Sequence, residues 1–144
     1  MREKREIRFR AWKGCGKYVA GSDGLIYSTN FNHTGKTQAL KGWLDKDGYP
    51  TVLMNIEKRR VCRKAHRLVA LAFLGNPPTS KHQVNHKNGR RGDNRPDNLE
   101  WLTHQENVIH GFRKNGRRIS DAQKLAMSKA TTAYNKRRWH PELV

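Results

Sequence analysis

Residues 83–107 of this chain read QVNHKNGRRGDNRPDNLEWLTHQEN. The stretch begins with alternating residues that predict a short strand, and the Asn88-Gly89 pair that follows predicts a tight turn. A polar loop rich in arginine then leads to a second, apolar strand at residues 99–102. Thr103 and Glu106 have the spacing of a capping box, which predicts the start of a helix. The expected order is therefore strand, loop, strand, helix.

This order of elements is expected to bring three polar side chains, His86, Asn98 and Asn107, within reach of one another. A neutral imidazole accepts a proton from water near pH 7, and amide oxygens ligate hard divalent cations. Because the chain is also strongly basic, the combination predicts metal-assisted cleavage of a phosphodiester bond.

The composition indicates both the size of the core and the kind of partner. Only 35% of the 144 residues are hydrophobic, so we expect one domain with a modest core and with basic segments outside it. The formal net charge of +18 would be strongly self-repelling without a polyanion, and the expected partner is a nucleic acid, with DNA preferred. RNA is the weaker alternative, because no set of aromatic residues for stacking bases is evident.

Upstream of this stretch, the apolar pattern predicts a small antiparallel sheet followed by a buried helix. The predicted strands span residues 17–20, 25–28, 51–55 and 61–64. Trp12, Tyr18 and Trp43 are expected to pack this sheet. The helix is expected at residues 65–74, and Pro77-Pro78 prevents its continuation. His66 in this helix is expected to be partly buried and hydrogen-bonded.

Downstream, Asn115-Gly116 is expected to end the helix that begins at Thr103. A last helix is expected from Ser120, whose hydroxyl can cap the first turn. Its apolar face is thin, so this helix would dock weakly or lie along a groove.

The chain resembles the HNH endonucleases, whose ββα-metal motif it matches, and most closely their phage and intron-encoded homing or nicking branch. The resemblance rests on matches in this order: Val-Asn-His at 84–86, Asn-Gly at 88–89, Asp-Asn-Arg at 93–95, Asp-Asn-Leu-Glu-Trp at 97–101 and Thr-x-x-Glu-Asn at 103–107. It extends upstream through residues 65–74. Further upstream, Trp12, Tyr18-Val19, Gly24 and residues 26–28 are similar to a small module that is commonly fused to such nucleases.

The resemblance implies a role for each polar residue of the motif. His86 would be the general base that deprotonates the attacking water, and Asn98 would tie the loop so that His86 stays oriented. One divalent ion, Mg²⁺ or Mn²⁺, would be held by Asn85 and Asn107 and would contact the scissile phosphate. The substrate would be double-stranded DNA, and the products would be a 5′-phosphate and a 3′-hydroxyl.

One departure from the family pattern concerns the metal. Many relatives have aspartate immediately before the histidine, whereas this chain has Asn85. Two neutral amides hold a hard cation less tightly than a carboxylate does, so we expect a weak site that depends on the DNA phosphate. His110, one turn after Asn107, is either a substitute ligand, a phosphate contact or a histidine on the helix surface. Asn85 also supports the alternative function, a catalytically weak or inactive HNH-fold protein that binds DNA.

The resulting expectation is an α+β fold in three parts. Residues 1–56 would form a β-rich nuclease-associated module that binds DNA, residues 57–116 the HNH core, and residues 117–144 a basic helical tail that binds DNA. Of the acidic side chains, Asp93 is expected to make loop hydrogen bonds and Glu100 to face solvent. Phosphate contacts are expected from the basic residues around the motif: Lys87, Arg90, Arg91, Arg95, Arg113, Arg117 and Arg118.

The remaining expectations concern location and assembly. Cys15 and Cys62 form no CxxC pair, which favours a reducing compartment and argues against a zinc ribbon. The residues before Arg10 are charged, so neither a secretory signal nor a membrane anchor is expected. We therefore expect a cytoplasmic protein, in the host cell if the chain is encoded by a phage. We expect a monomer, with a dimer as the alternative.

Overall fold

The computed structural model describes residues 6–116 and, beyond them, Ser120, Ala122 and Leu125. It divides into two compact units, Met1–Leu102 and Thr103–Val144. Arg117, Arg118 and nearly all of the helix expected from Ser120 lie outside the described residues, so the expectations for them remain predictions.

Short strands dominate the described part of the chain. In order they are β1 Phe9–Arg10, β2 Tyr18–Gly21, β3 Ile26–Ser28, β4 Gln38–Ala39, β5 Gly42–Leu44, β6 Pro50–Ile56, β7 Arg59–Lys64, β8 His82–His86 and β9 Leu99–Thr103. Helix α1 spans Ala65–Phe73, between β7 and β8, and helix α2 spans His104–Lys114, after β9. Neither helix is long and apolar enough to span a membrane, as far as the described residues extend. The mixture of sheets and helices confirms the expected α+β class.

The strands form three sheets, with the orders β1-β2-β3-β4, β5-β6-β7 and β8-β9. The first two sheets are antiparallel throughout. Every strand predicted from the sequence is present, with its ends shifted by at most two residues. Strands β1, β4 and β5 were not predicted, because two or three residues are too few to show an alternating pattern.

The core forms where α1 packs against the sheets. The helix contacts β2, β3, β6, β7 and β8, and the residues that it buries are Ala65, His66, Leu68, Val69 and Ala70. Its apolar residues belong to one buried cluster with Ile26, Met54 and Leu99. Burial of each large apolar side chain contributes about 1.5–3 kcal/mol. This cluster therefore anchors β9, through Leu99, to the helix and the sheets.

The aromatic residues differ from the expectation at one position. Tyr18 is buried as expected, and its hydroxyl oxygen accepts a hydrogen bond from the backbone N–H of Asn55 at 2.8 Å. Trp12 is partly buried against the core. The expectation that Trp43 packs the sheet is wrong, since its side chain is 47% exposed. Trp43 lies on β5, an edge strand that pairs only with β6.

The boundary expected at residues 56 and 57 falls in the turn of the β6–β7 hairpin. Ile56 pairs with Arg59, and Glu57 and Lys58 form the turn with φ angles of 50° and 64°. Residues on both sides of this point therefore share one sheet and one core. Whether the two segments divide DNA binding from chemistry remains a prediction.

A close backbone contact connects the first sheet to the loop between β8 and β9. Gly24 lies in the β2–β3 turn with a φ of +86°, a conformation that favours glycine. A Cβ atom built on Gly24 would lie 2.6 Å from the carbonyl carbon of Asn94 and 2.8 Å from the backbone nitrogen of Arg95. Glycine is required here both by its backbone angle and by the space available.

Candidate active site

His86 ends strand β8 and is only 6% exposed. Its Nε2 atom lies 2.8 Å from Oδ1 of Asn94. An amide oxygen can only accept, so Nε2 bears the hydrogen, and in the neutral ring Nδ1 keeps its lone pair. Nδ1 makes no hydrogen bond to any described residue. The ring is therefore held in one orientation with Nδ1 as its basic atom.

Asn98 closes the loop that carries Asn94. Its Oδ1 accepts a hydrogen bond from the backbone N–H of Asn88 at 3.0 Å. Its Nδ2 donates to Oδ1 of Asn88 at 3.0 Å and to the carbonyl oxygen of Asp93 at 2.9 Å. The backbone carbonyl of Asn98 also accepts from the N–H of Lys87 at 2.8 Å. One buried amide thus joins the two ends of the loop.

Asp93 and Arg95 form an ion pair inside the same loop. Nε and Nη2 of Arg95 each donate to one carboxylate oxygen of Asp93 at 2.8 Å. These hydrogen bonds lower the pKa of Asp93 to about 2, and a hydrogen bond from Asn88 contributes in the same direction. The expectation of loop hydrogen bonds for Asp93 is confirmed. Arg95, which was expected to contact phosphate, already has an anionic partner.

The rings of His66 and Tyr49 pack near the ring of His86. The ring of His66 lies 5.2 Å from that of His86, centroid to centroid, and the ring of Tyr49 lies 4.9 Å from that of His66. Burial lowers the pKa of His66 to about 3, and positive charge on His86 adds to this effect. His66 is therefore neutral near pH 7. Its buried Nδ1 has no hydrogen-bond partner among the described residues, so the expectation that it is hydrogen-bonded is wrong at this atom.

Two cations flank Tyr49. Lys64 Nζ lies 4.4 Å from the centroid of its ring and Arg91 Cζ lies 4.9 Å from it. Arg91 also donates a hydrogen bond to the carbonyl oxygen of Asp47, in the turn between β5 and β6. The guanidinium of Arg91 is thus held against the side of Tyr49 while the residue stays exposed.

Asn85 precedes His86 on β8, and its amide is hydrogen-bonded to the paired strand. Nδ2 of Asn85 donates to Oε1 of Glu100 on β9 at 2.9 Å. The expectation that Glu100 faces solvent is therefore wrong, because the strand pairing turns its half-buried carboxylate toward Asn85. Oδ1 of Asn85 remains available as an acceptor.

Asn107 belongs to the second unit, in the first turn of α2. The capping box is present: Thr103 Oγ1 accepts from the N–H of Glu106 at 3.3 Å, and Oε2 of Glu106 accepts from the N–H of Thr103 at 2.8 Å. Oδ1 of Asn107 is buried and has no hydrogen-bond partner among the described residues. Such an atom is costly to bury unless something binds it. His110 and Arg113 lie further along the same helix.

A family model described as HNH endonuclease matches residues 63–109. Over 107 residues the chain is 36% identical to the uncharacterized HNH endonuclease L247 of Acanthamoeba polyphaga mimivirus, a match that covers 72% of this chain and 25% of the relative. It is 32% identical over 114 residues to DNA endonuclease I-HmuI of Bacillus phage SP01, covering 79% of this chain and 62% of that protein.

A solved structure of the HNH homing endonuclease I-HmuI, described as binding and cleaving DNA, aligns with this chain with a TM-score of 0.64 and 30% sequence identity. The alignment covers 85% of this chain and 68% of the I-HmuI chain. The chain belongs to the HNH endonuclease family. It spans only a quarter of the length of its mimivirus relative.

The two expected metal ligands of this HNH family member, Asn85 and Asn107, belong to different compact units. In residues 6–116 and the three described beyond them, no three His, Cys, Asp or Glu side chains cluster as metal ligands would. The candidates are the two amide oxygens. Asn85 has its nitrogen held by Glu100, and Asn107 has a buried oxygen that lacks a partner. Both suit a hard divalent cation, which prefers oxygen ligands.

Sequence reasoning missed the neighbours of two site residues. Asn94, His66 and Tyr49 lie beside His86, and Glu100 lies beside Asn85. The available signal for Asn94 was the density of asparagines in residues 85–98. A single sequence does not reveal which of these amides faces His86, because every one of them suits a polar loop. The contacts of His66 and Tyr49 depend on how α1 and the β5–β6 turn pack.

Proposed function

We propose that this member of the HNH family is an endonuclease that hydrolyses phosphodiester bonds in double-stranded DNA, of the homing or nicking type. The reaction would need one divalent ion, Mg²⁺ or Mn²⁺, and would leave a 5′-phosphate and a 3′-hydroxyl. The observation that carries the proposal is His86, whose Nε2 is bound to Asn94 and whose Nδ1 is free to accept a proton.

His86 would act as the general base. Nδ1 takes a proton from the water that attacks the phosphorus, and the imidazolium that forms keeps its Nε2–H bond to the amide oxygen of Asn94. Asn98 acts on the loop rather than on the substrate, because its amide holds the segment that carries Asn94. Neutral His66 adds no competing positive charge beside the base.

Asn85 and Asn107 are the proposed metal ligands, through Oδ1 in each case. When bound, the ion would neutralise charge on the scissile phosphate and on the departing 3′ oxygen. Two neutral ligands predict weak binding in the absence of DNA.

Phosphate contacts are proposed for exposed basic residues whose side chains have no anionic partner among the described residues: Lys87, Arg90, Arg91 and Arg113. Arg117 and Arg118 are kept in the proposal on sequence grounds. A monomer with one such site would cut one strand at a time.

The function is tested by incubating supercoiled plasmid with the protein and Mg²⁺ or Mn²⁺. We expect nicked circles to accumulate first, and chelation of the metal with EDTA should stop the reaction. The new ends should be substrates for DNA ligase without prior phosphorylation. DNA binding without cleavage in either metal would support the alternative, a weak or inactive HNH-fold protein that binds DNA.

Arg90 and Arg95 are expected to respond differently to replacement by glutamine. Arg90 is exposed and its side chain makes no hydrogen bond to a described residue, whereas Arg95 is paired with Asp93. Arg90→Gln should therefore lower the log–log slope of DNA affinity against salt concentration by about 0.9. Arg95→Gln should change this slope less and lower the thermal midpoint, because Asp93 loses two hydrogen bonds. Equal slopes for the two variants would contradict this assignment.

A further inference from the structure

Asparagine differs from aspartate as a metal ligand. Its side chain ends in an oxygen and an NH₂ group of similar size, and only the oxygen can bind a cation. Aspartate has two oxygens, so either orientation of its side chain presents a ligand. A chain with Asn85 where many relatives have aspartate therefore needs something that selects the orientation of this amide.

Glu100 has the position and the chemistry to make this selection. Its Oε1 lies 2.9 Å from Nδ2 of Asn85, across the paired strands β8 and β9. An ionised carboxylate only accepts hydrogen bonds, so it attracts the NH₂ end of the amide and repels the oxygen end. The half-buried setting of both residues strengthens this preference, since water competes less for the carboxylate.

We propose that Glu100 is a positioning residue that holds the amide of Asn85 with its oxygen toward the metal ion. This inference rests on the proposed function, because it takes Asn85 as a ligand. It gives a reason for the carboxylate of Glu100 to lie beside the neutral amide of Asn85. Glu100 itself need not touch the ion.

The test compares Mn²⁺ affinity of the full chain and its variants, measured from the electron paramagnetic resonance signal of free Mn²⁺. Glutamine at position 100 can accept from Nδ2 or donate to Oδ1, so both amide orientations become accessible. Glu100→Gln should weaken Mn²⁺ binding about tenfold to a hundredfold, the usual range for residues that support a ligand. Asp97→Asn is the matched control, because it removes one negative charge from an exposed residue of the loop that immediately precedes β9. This control should leave the affinity nearly unchanged.

A second background separates orientation from charge. In Asn85→Asp, either carboxylate oxygen can bind the ion, so the orientation no longer depends on residue 100. Glu100→Gln should therefore cause a much smaller loss of Mn²⁺ affinity in this background than in the parent chain. Equal losses in the two backgrounds would mean that Glu100 acts through its charge alone, and the proposal would be overturned.

The inference and the function can fail separately. If the parent chain binds Mn²⁺ and Glu100→Gln binds it equally well, the positioning role is overturned while the nuclease proposal stands. If the parent neither binds Mn²⁺ nor cleaves DNA, both fall. The side-chain amide resonance of Asn85, assigned by its disappearance in Asn85→Asp, gives a readout independent of activity. Mn²⁺ should broaden it in the parent at lower concentrations than in Glu100→Gln.

Discussion

Replacement of His86 by alanine is expected to slow DNA cleavage by about 10²–10⁴-fold, the range attributed to general acid–base catalysis. The variant loses the only proposed proton acceptor, the Nδ1 atom that Asn94 exposes by holding Nε2. DNA affinity should stay nearly the same, because the proposed phosphate contacts come from dispersed lysines and arginines. Cleavage under single-turnover conditions and DNA binding are measured on the same preparation.

His82→Ala is the matched control for this prediction. His82 lies at the other end of the same strand, and its Nδ1 is 2.8 Å from Oγ1 of Thr79. Its replacement should leave the cleavage rate within a few-fold of the parent, as expected for a side chain outside the reaction. If His86→Ala cleaved at the rate of the parent, the base would have to be another residue.

Asn98→Asp is expected to lower both the free energy of unfolding and the cleavage rate. The aspartate would keep an acceptor for the N–H of Asn88, but its second oxygen would face Oδ1 of Asn88 and the carbonyl of Asp93. Residue 98 is 8% exposed, so water cannot relieve this repulsion. The expected cost is on the order of 3 kcal/mol, measured by denaturant unfolding. Displacement of Asn94 should slow cleavage by about a hundredfold.

Asn55→Asp introduces the same chemical change at an exposed site. Asn55 lies on β6, and its side chain makes no hydrogen bond among the described residues. This control should change neither stability nor cleavage appreciably. Equal unfolding curves for Asn98→Asp and the parent would show that the loop does not depend on this amide.

The sequence predicted best the elements whose signals are local. The capping box of Thr103 and Glu106 needs only the spacing of two residues, and the structure contains it. Helix α1 was predicted because its apolar residues are dense enough for a buried helix and prolines follow it. Strand β8 ends at His86, as its alternating pattern and the Asn-Gly turn after it indicate.

The features that were not predicted depend on contacts between segments distant in sequence. The pairing of Asn85 with Glu100 requires the register of β8 and β9, and the ring of His66 reaches His86 only after α1 has packed. Trp43 was expected to be buried because tryptophan is apolar, but its burial depends on whether another element covers β5. A single sequence contains no direct record of such contacts.

The contact between Gly24 and the backbone of Asn94 limits how such nucleases can be recombined. An amino-terminal sheet taken from a homologue would bring its own β2–β3 turn. If that turn had any side chain at the position of Gly24, the chain at residues 94 and 95 would have to move. The amide of Asn94, which holds the ring of His86, would then move as well. A chimaera of this sheet with a homologue should therefore take the β2–β3 turn and the β8–β9 loop from the same parent.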